Sequence, residues 1–229
     1  MAFSLDDVLR KKREIKERAD RPTVEWFSLA KKNPVRIRFL QEISTDSVNY
    51  DSNAGAFVFL NEHTSPYNFI RRAECSYESE GQCFGCEMVK IEPVIEIDGV
   101  KKFGAWAAKS NLYTYIETED NEIKVLSRPA PGTFFDLIYG FHDGDGEGSI
   151  TQQEFEISKG PKRNDSWNLT PKLKTSFEIT KSAELADLTT AVSRKIPYEE
   201  QKNFYLPDAK KNEASAPASQ TEAAKGFEW

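Results

Sequence analysis

All three cysteines of this 229-residue chain fall between positions 75 and 86, and one of its two histidines stands just upstream. The set is His63, Cys75, Cys83 and Cys86, closing on the knuckle Cys83-Phe84-Gly85-Cys86. Thiolates and a neutral imidazole are ligands that zinc favours, and four of them make a closed tetrahedral site with no open position for chemistry. Two residues between thiols let both sulfurs reach one ion, and Gly85 can supply the positive φ that a tight turn needs. Three ordinary buried thiols and a surface histidine are the plainer reading, but the rest of the chain has no cysteine at all. The clustering therefore predicts one structural Zn²⁺. A disulfide with one thiol left over is the weaker rival, because the N-terminus lacks the apolar stretch of an export signal.

Rings and cations surround this set. Tyr67, Phe69, Arg71 and Arg72 lie inside the loop, where bases can stack on rings while guanidinium groups meet phosphates. Packing of a small zinc module is the competing use of the two rings. Upstream, Pro34–Leu40 alternates strictly, so Arg36 and Arg38 share one face and Val35, Ile37 and Phe39 the other. Downstream come Lys102, Trp106 and Lys109, then a second alternating run in which Tyr113 and Tyr115 share a face opposite Leu112, Thr114 and Ile116. Tyrosines on one strand face with lysines nearby suit a sequence-tolerant single-strand binder, since every base has a π-face. A buried core tryptophan is the rival reading of Trp106.

A different chemistry is written at Asp143–Glu154. Asp143, Asp145 and Glu147 occupy positions 1, 3 and 5 of a 12-residue EF-hand loop, Gly148 position 6 and Glu154 position 12, the pattern for Ca²⁺. Against it, Glu154–Lys159 alternates as a strand would, no second hand exists for pairing, and Gly/Asp loops are ordinary connectors. A Ca²⁺-binding, EF-hand-like regulatory module is the alternative function carried by this loop.

The elements that must position these groups follow from pattern and punctuation. Residues 4–19 read as a helix with a basic excess, ended by Pro22, so that 1–22 forms an N-terminal arm. Strands are expected at 34–40, 56–60, 112–116, 122–126, 155–159 and 166–171, with a brief strand-like piece at 177–180. Turns fall at Asp98-Gly99 and Thr118–Asn121. A short helix is expected between Met88 and Ile97, broken at Pro93. Phe134, Leu137, Ile138 and Phe141 have helical spacing over 133–141, and a helix capped by Ser182 carries Leu185, Leu188 and Val192. After Leu206-Pro207 the composition turns to Lys, Asn, Glu, Ala, Ser, Pro and Gln, which predicts a disordered tail over 207–229. That tail ends in Phe227 and Trp229.

A single His, then Cys, then Cys-x2-Cys, set between β segments and interleaved with Tyr, Phe and Arg, resembles the zinc-containing single-stranded-DNA-binding (helix-destabilising) proteins of T-even bacteriophages and their relatives in other tailed phages. The resemblance implies a mainly β (α+β) chain: a five-stranded OB-fold barrel over 23–206 with an inserted zinc module at about 61–90. It implies a basic arm, with Arg10-Lys11-Lys12-Arg13, that docks on neighbouring protomers and makes binding cooperative. It implies a tail whose Phe227 and Trp229 recruit replication and recombination proteins. The function implied is coating and protecting single-stranded DNA during phage replication, recombination and repair, in the cytoplasm and without catalysis.

Composition limits the alternatives. Apolar residues make up 38% and charged residues 30%, lean but globular, and no apolar run reaches the ~18 residues of a membrane span. The net charge is −6, and the tail is close to neutral, so binding to phosphates requires the basic side chains to be gathered in one place. A nucleobase deaminase also uses His/Cys/Cys zinc, but its H-x-E and P-C-x-x-C pieces are missing: Thr64-Ser65 follow His63, and Gln82 precedes Cys83. Neither a phosphate-cradling Gly-Lys loop nor a nucleophile motif occurs.

Overall fold

In the computed structural model of the chain, the described residues are 22–30, 32–143, 149–162, 166–178 and 185–207, with Val8, Leu9, Lys12 and Lys16 ahead of them. Among them, nine strands follow in order: β1 (Val35–Phe39), β2 (Val58–Thr64), β3 (Arg72–Glu74), β4 (Val94–Ile97), β5 (Val100–Phe103), β6 (Lys109–Thr118), β7 (Ile123–Pro129), β8 (Glu154–Lys159) and β9 (Trp167–Pro171). The helices are α1 (Tyr77–Glu80), α2 (Phe84–Ile91), α3 (Thr133–Asp143), α4 (Leu188–Val192) and α5 (Tyr198–Tyr205). The chain divides into two compact units, Met1–Glu62 with Lys109–Ser193, and His63–Ala108 with Arg194–Trp229.

The first unit is a forked antiparallel sheet. β6 pairs with β7 from Asn111 to Glu117, with β2 from Lys109 to Tyr113, and with β1 from Ile116 to Thr118. β1 continues to β8, and β8 to β9. The mainly β, α+β class expected from the pattern is found, but the five-stranded barrel is not, because the sheet does not close. Closure would need a strand on the free edge of β7. That edge is taken by the incoming chain instead: Val125 N–H donates to Glu25 O at 2.7 Å and Phe27 N–H to Val125 O at 2.9 Å.

Both faces of β6 are covered, which matters for its side chains. Leu112 and Ile116 join Val35, Ile37, Phe39, Phe155 and Ile157 in one cluster, against which α3 lays Phe134 and Ile138. Tyr113 and Tyr115 join Leu60, Val125, Leu188, Ala191 and Val192 in a second. Each such side chain contributes roughly 1.5–3 kcal/mol on leaving water. Of the apolar stripe expected behind Ser182, Leu188 and Val192 fall on α4 while Leu185 precedes it, and the cap is Asp187, accepting from Thr189 N–H at 3.3 Å and Thr190 N–H at 3.0 Å. Ser182 itself lies outside the described residues, as do 179 and 180 of the expected strand-like piece, and 177–178 are not in a strand.

In the second unit, β3 pairs with β2, whose last two residues, His63 and Thr64, belong to this unit. Pro93 ends α2, and the segment after it is a strand, not the continuation of a helix. The β4–β5 hairpin turns at Asp98 (φ 54°) and Gly99 (φ 75°), the left-handed pair that a two-residue hairpin favours. Ala73, Phe84, Met88, Ile95, Trp106, Tyr205 and Leu206 form its core. The module expected at about 61–90 is thus the centre of a larger unit that also draws on α5. No helix among the described residues is long and apolar enough to cross a membrane.

Candidate metal centre

Three elements deliver the four predicted ligands. His63 is near the end of β2, Cys75 follows β3, and Cys83 and Cys86 are the N-cap and third residue of α2. Residues three apart on a helix lie on one side of it, so the knuckle aims both sulfurs together. One ligand atom from each of the four residues falls within 4.8 Å of all the others. Cys75 Sγ is 3.6 Å from Cys86 Sγ, which is 3.4 Å from His63 Nε2. The cluster could hold a metal ion, and nothing links two of the thiols as a disulfide.

The imidazole is fixed from behind. His63 is buried, and its Nδ1 lies 2.7 Å from the carbonyl oxygen of Trp106. A carbonyl only accepts, so Nδ1 carries the proton and Nε2 presents its lone pair to the sulfurs, the usual arrangement behind a metal-bound histidine. Gly85 is needed for space. A Cβ there would lie 2.4 Å from His63 Cγ. Its backbone is not in the left-handed region, so the positive φ expected of it is replaced by close approach of α2 to the ring.

Protons stand in for a cation when the site holds none. Burial alone would raise the Cys83 thiol, but the His63 hydrogen bond and the Cys86 and Ser76 backbones outweigh it and bring the pKa down to about 6. Burial pulls His63 down, yet the same Cys83 bond, helped by Trp106 O, leaves it above the ordinary histidine value. Cys86 is pushed up to about 12 by burial and then by the neighbouring thiols, and burial also raises Cys75. A divalent ion would take over this donor set by displacing the protons that its groups hold.

Residues far along the chain support the site. Gln201 Oε1 accepts from Phe84 N–H at 2.9 Å, satisfying a first-turn donor of α2, while its Nε2 donates to Ser76 Oγ at 2.8 Å. Tyr205 packs against Trp106 and Phe84. Neither Gln201 nor Tyr205 is among the residues expected from the sequence. α5 spans eight residues and its only preceding signal is Pro197.

Several predicted nucleic-acid contacts have other occupations. Trp106 is wholly buried, and its Nε1 donates to Glu92 at 3.2 Å, so it is a core ring and not a stacking surface. Tyr113 and Tyr115 are buried too, because α4 covers the strand face that alternation left open. The Tyr113 hydroxyl donates to Glu62 at 2.5 Å. Arg36 and Arg38 lie opposite Glu156 and Glu154 on β8, and Arg38 also opposite Glu117 on β6. Arg36 is ion-paired with Glu154 at 3.5 Å and Arg38 donates to Thr151 O at 3.1 Å, so these guanidinium groups do not form an open positive face. Arg71 donates to Phe204 O at 2.9 Å and Leu206 O at 3.0 Å, tying down the C-terminal end of α5.

What the second unit leaves accessible is different. Tyr67 is half-buried, edge-on to Trp106, and Arg72 is half-buried. Phe69 is 74% exposed, and the Lys102 ammonium lies 5.5 Å from its ring centroid. Lys109, in the first unit, is exposed. The signal for Phe69 was its place inside the metal loop between Tyr67 and the arginine pair.

Of the calcium set, Asp145 and Glu147 lie outside the described residues, and Asp143 is the last residue of α3. Glu154 begins β8, is fully buried, and accepts from Ser176 N–H at 2.5 Å and from the Ser176 hydroxyl at 2.9 Å. With the Arg36 ion pair, that carboxylate is engaged inside the sheet. Arg10, Lys11, Arg13, Phe227 and Trp229 also lie outside the described residues. Comparison with protein-family models, with curated proteins and with solved structures finds no match.

Proposed function

We propose that this chain is a non-catalytic single-stranded-DNA-binding protein of the phage type, whose His63, Cys75, Cys83 and Cys86 hold one structural zinc ion. The ligand chemistry supports zinc: three thiolates and an imidazole with its proton on the far nitrogen form a closed set, with no carboxylate or open position of the kind a hydrolytic site keeps. The observation that carries the binding reading is the Phe69 ring, which stands out into solvent beside the Lys102 ammonium on a loop that the ligand set pins. An exposed ring next to a cation is what an unpaired base and its phosphate need.

In this reading the β-sheet is a partly open OB-type framework, and the stacking surface belongs to the zinc unit, with Phe69 in the role first expected of Trp106. The N-terminal arm would link protomers along the strand, and the aromatic tip would recruit replication and recombination proteins. Such a protein coats and protects single strands in the cytoplasm of an infected cell. A gel shift with oligo-dT against duplex DNA, with and without chelator, together with metal analysis, tests it. Binding that prefers single strands and fails after zinc removal is expected; equal affinity for duplex, or no shift at all, would end the proposal.

A further inference from the structure

The first unit holds a cation where its sheet pattern calls for an apolar residue. On β7, Leu126 and Arg128 lie opposite Thr114 and Leu112 of β6 and share one face. Leu126 and Leu112 are buried in the cluster that also holds Phe134, with Trp167 packed against it. Arg128 therefore points to the core side of the sheet. Its guanidinium carbon lies 4.1 Å from the centroid of the Trp167 ring and 5.7 Å from that of Phe134.

Among the described residues no counter-charge accompanies it. Arg128 Nε is buried with no hydrogen-bond partner, and Arg128 forms no ion pair among the described residues, whereas Arg36 in the same unit is matched to Glu154. Burial pulls its pKa below the ordinary value, yet a guanidinium stays charged at neutral pH. Stacking on two rings offsets part of the lost hydration. Nε is closed off from solvent, so a ligand would meet the paired Nη groups, whose N–H donors have the geometry of two phosphate oxygens. A local rule broken with only partial compensation inside the fold is where a ligand is expected.

Beside the guanidinium is a cavity of about 110 Å³, whose wall includes Gly132, Thr133, Ser166 and Trp167. Sites for drug-sized molecules run to ~300–1,000 Å³, so this one suits a small group such as a tetrahedral oxyanion. We propose that the cavity is a phosphate site, in which Arg128 takes two phosphate oxygens in its fork and the Trp167 face keeps the fork flat. Thr133 and Ser166, which line the same wall, carry hydroxyls that would serve as further donors. The phosphate is either a diester of a bound strand or a free ion, and the site does not depend on the single-strand reading.

The test uses the full chain. Tryptophan emission is followed during titration with sodium phosphate against sodium chloride of equal ionic strength, and then with oligo-dT at several salt concentrations. Phosphate is expected to change the emission saturably, and the change to vanish in Trp167→Phe and in Arg128→Gln. Arg128→Lys, which keeps the charge but not the fork, is expected to weaken it about tenfold. A salt slope for oligo-dT that falls by ~0.7 in Arg128→Gln assigns the phosphate to the strand; an unchanged slope in that variant, with the wild type responding to phosphate, assigns it to the free ion. Failure of the wild type to bind oligo-dT would remove the single-strand reading alone. A wild type indifferent to phosphate relative to chloride, or an Arg128→Lys variant with native melting temperature and undiminished response, overturns the site.

Discussion

Gly85 lies against the face of the His63 imidazole, so close that a methyl group in place of its hydrogen would sit 2.4 Å from Cγ of the ring. Inside a helix, glycine to alanine is normally stabilising, by up to ~1 kcal/mol. Gly85→Ala should do the reverse and cost about 1–3 kcal/mol as the ring is forced aside, with loss of bound metal. Thermal melts and zinc stoichiometry measure both effects, and an alanine variant more stable than wild type with full zinc content would contradict the packing described.

Removing the metal should act on one unit and spare the other. The four ligands and the Ala73, Phe84, Trp106 and Tyr205 core all belong to His63–Ala108 and the segment from Arg194. With chelator, hydrogen exchange is expected to lose protection in α2 and β5, while β1, β6 and β8, held by their own core, keep theirs. Uniform loss across both sets of strands would refute a metal role confined to the second unit.

Two aromatic substitutions separate surface from core. Phe69→Ala removes an exposed ring and should weaken oligo-dT binding by about 1–3 kcal/mol with little change in melting temperature. Tyr113→Phe should leave DNA affinity unchanged but deprive the buried Glu62 of a donor, at a cost of about 1–3 kcal/mol of stability. Anisotropy titrations and urea melts on the pair decide it, and the opposite pattern would return the stacking role to β6.

The cap of α4 carries a pH dependence with a definite sign. Hydrogen bonds from the Thr190 side chain, then from the Thr190 and Thr189 backbones, hold the Asp187 carboxyl below its ordinary value. A depressed folded pKa means that the contribution is present above the unfolded value of about 3.9 and fades as pH falls through the folded one. Asp187→Ala should therefore cost about 1 kcal/mol at pH 7, and urea melts of the two proteins should draw together as pH falls below the unfolded value and through the folded one. A gap that stays constant with pH would rule the charged cap out.

The metal set could be read from the sequence because ligand type and spacing carry that information locally; Cys83 and Cys86 need only one helical turn to converge. Helix α3 and the β8–β9 hairpin were legible for the same reason. The stacking residues were not. Alternation shows that Tyr113 and Tyr115 share a face, but what covers it is Leu188, Ala191 and Val192, many residues later in the chain. Arg36 and Arg38 looked like an open cationic face because nothing in β1 reveals that Glu154, Glu156 and Glu117 are its cross-strand neighbours. Arg71 looked free because its acceptors are the carbonyls ending α5.

The unit around the ligands is assembled from two pieces of chain separated by most of the sheet. While β6 through β9 are still being made, the cysteine loop has been synthesised but lacks Gln201 to bind Phe84 N–H and Tyr205 to close over Trp106. Until α5 arrives, the first turn of α2 and the Trp106 ring lack these two partners. An ion taken up before α5 is made would therefore meet a less supported site than one offered to the finished protein.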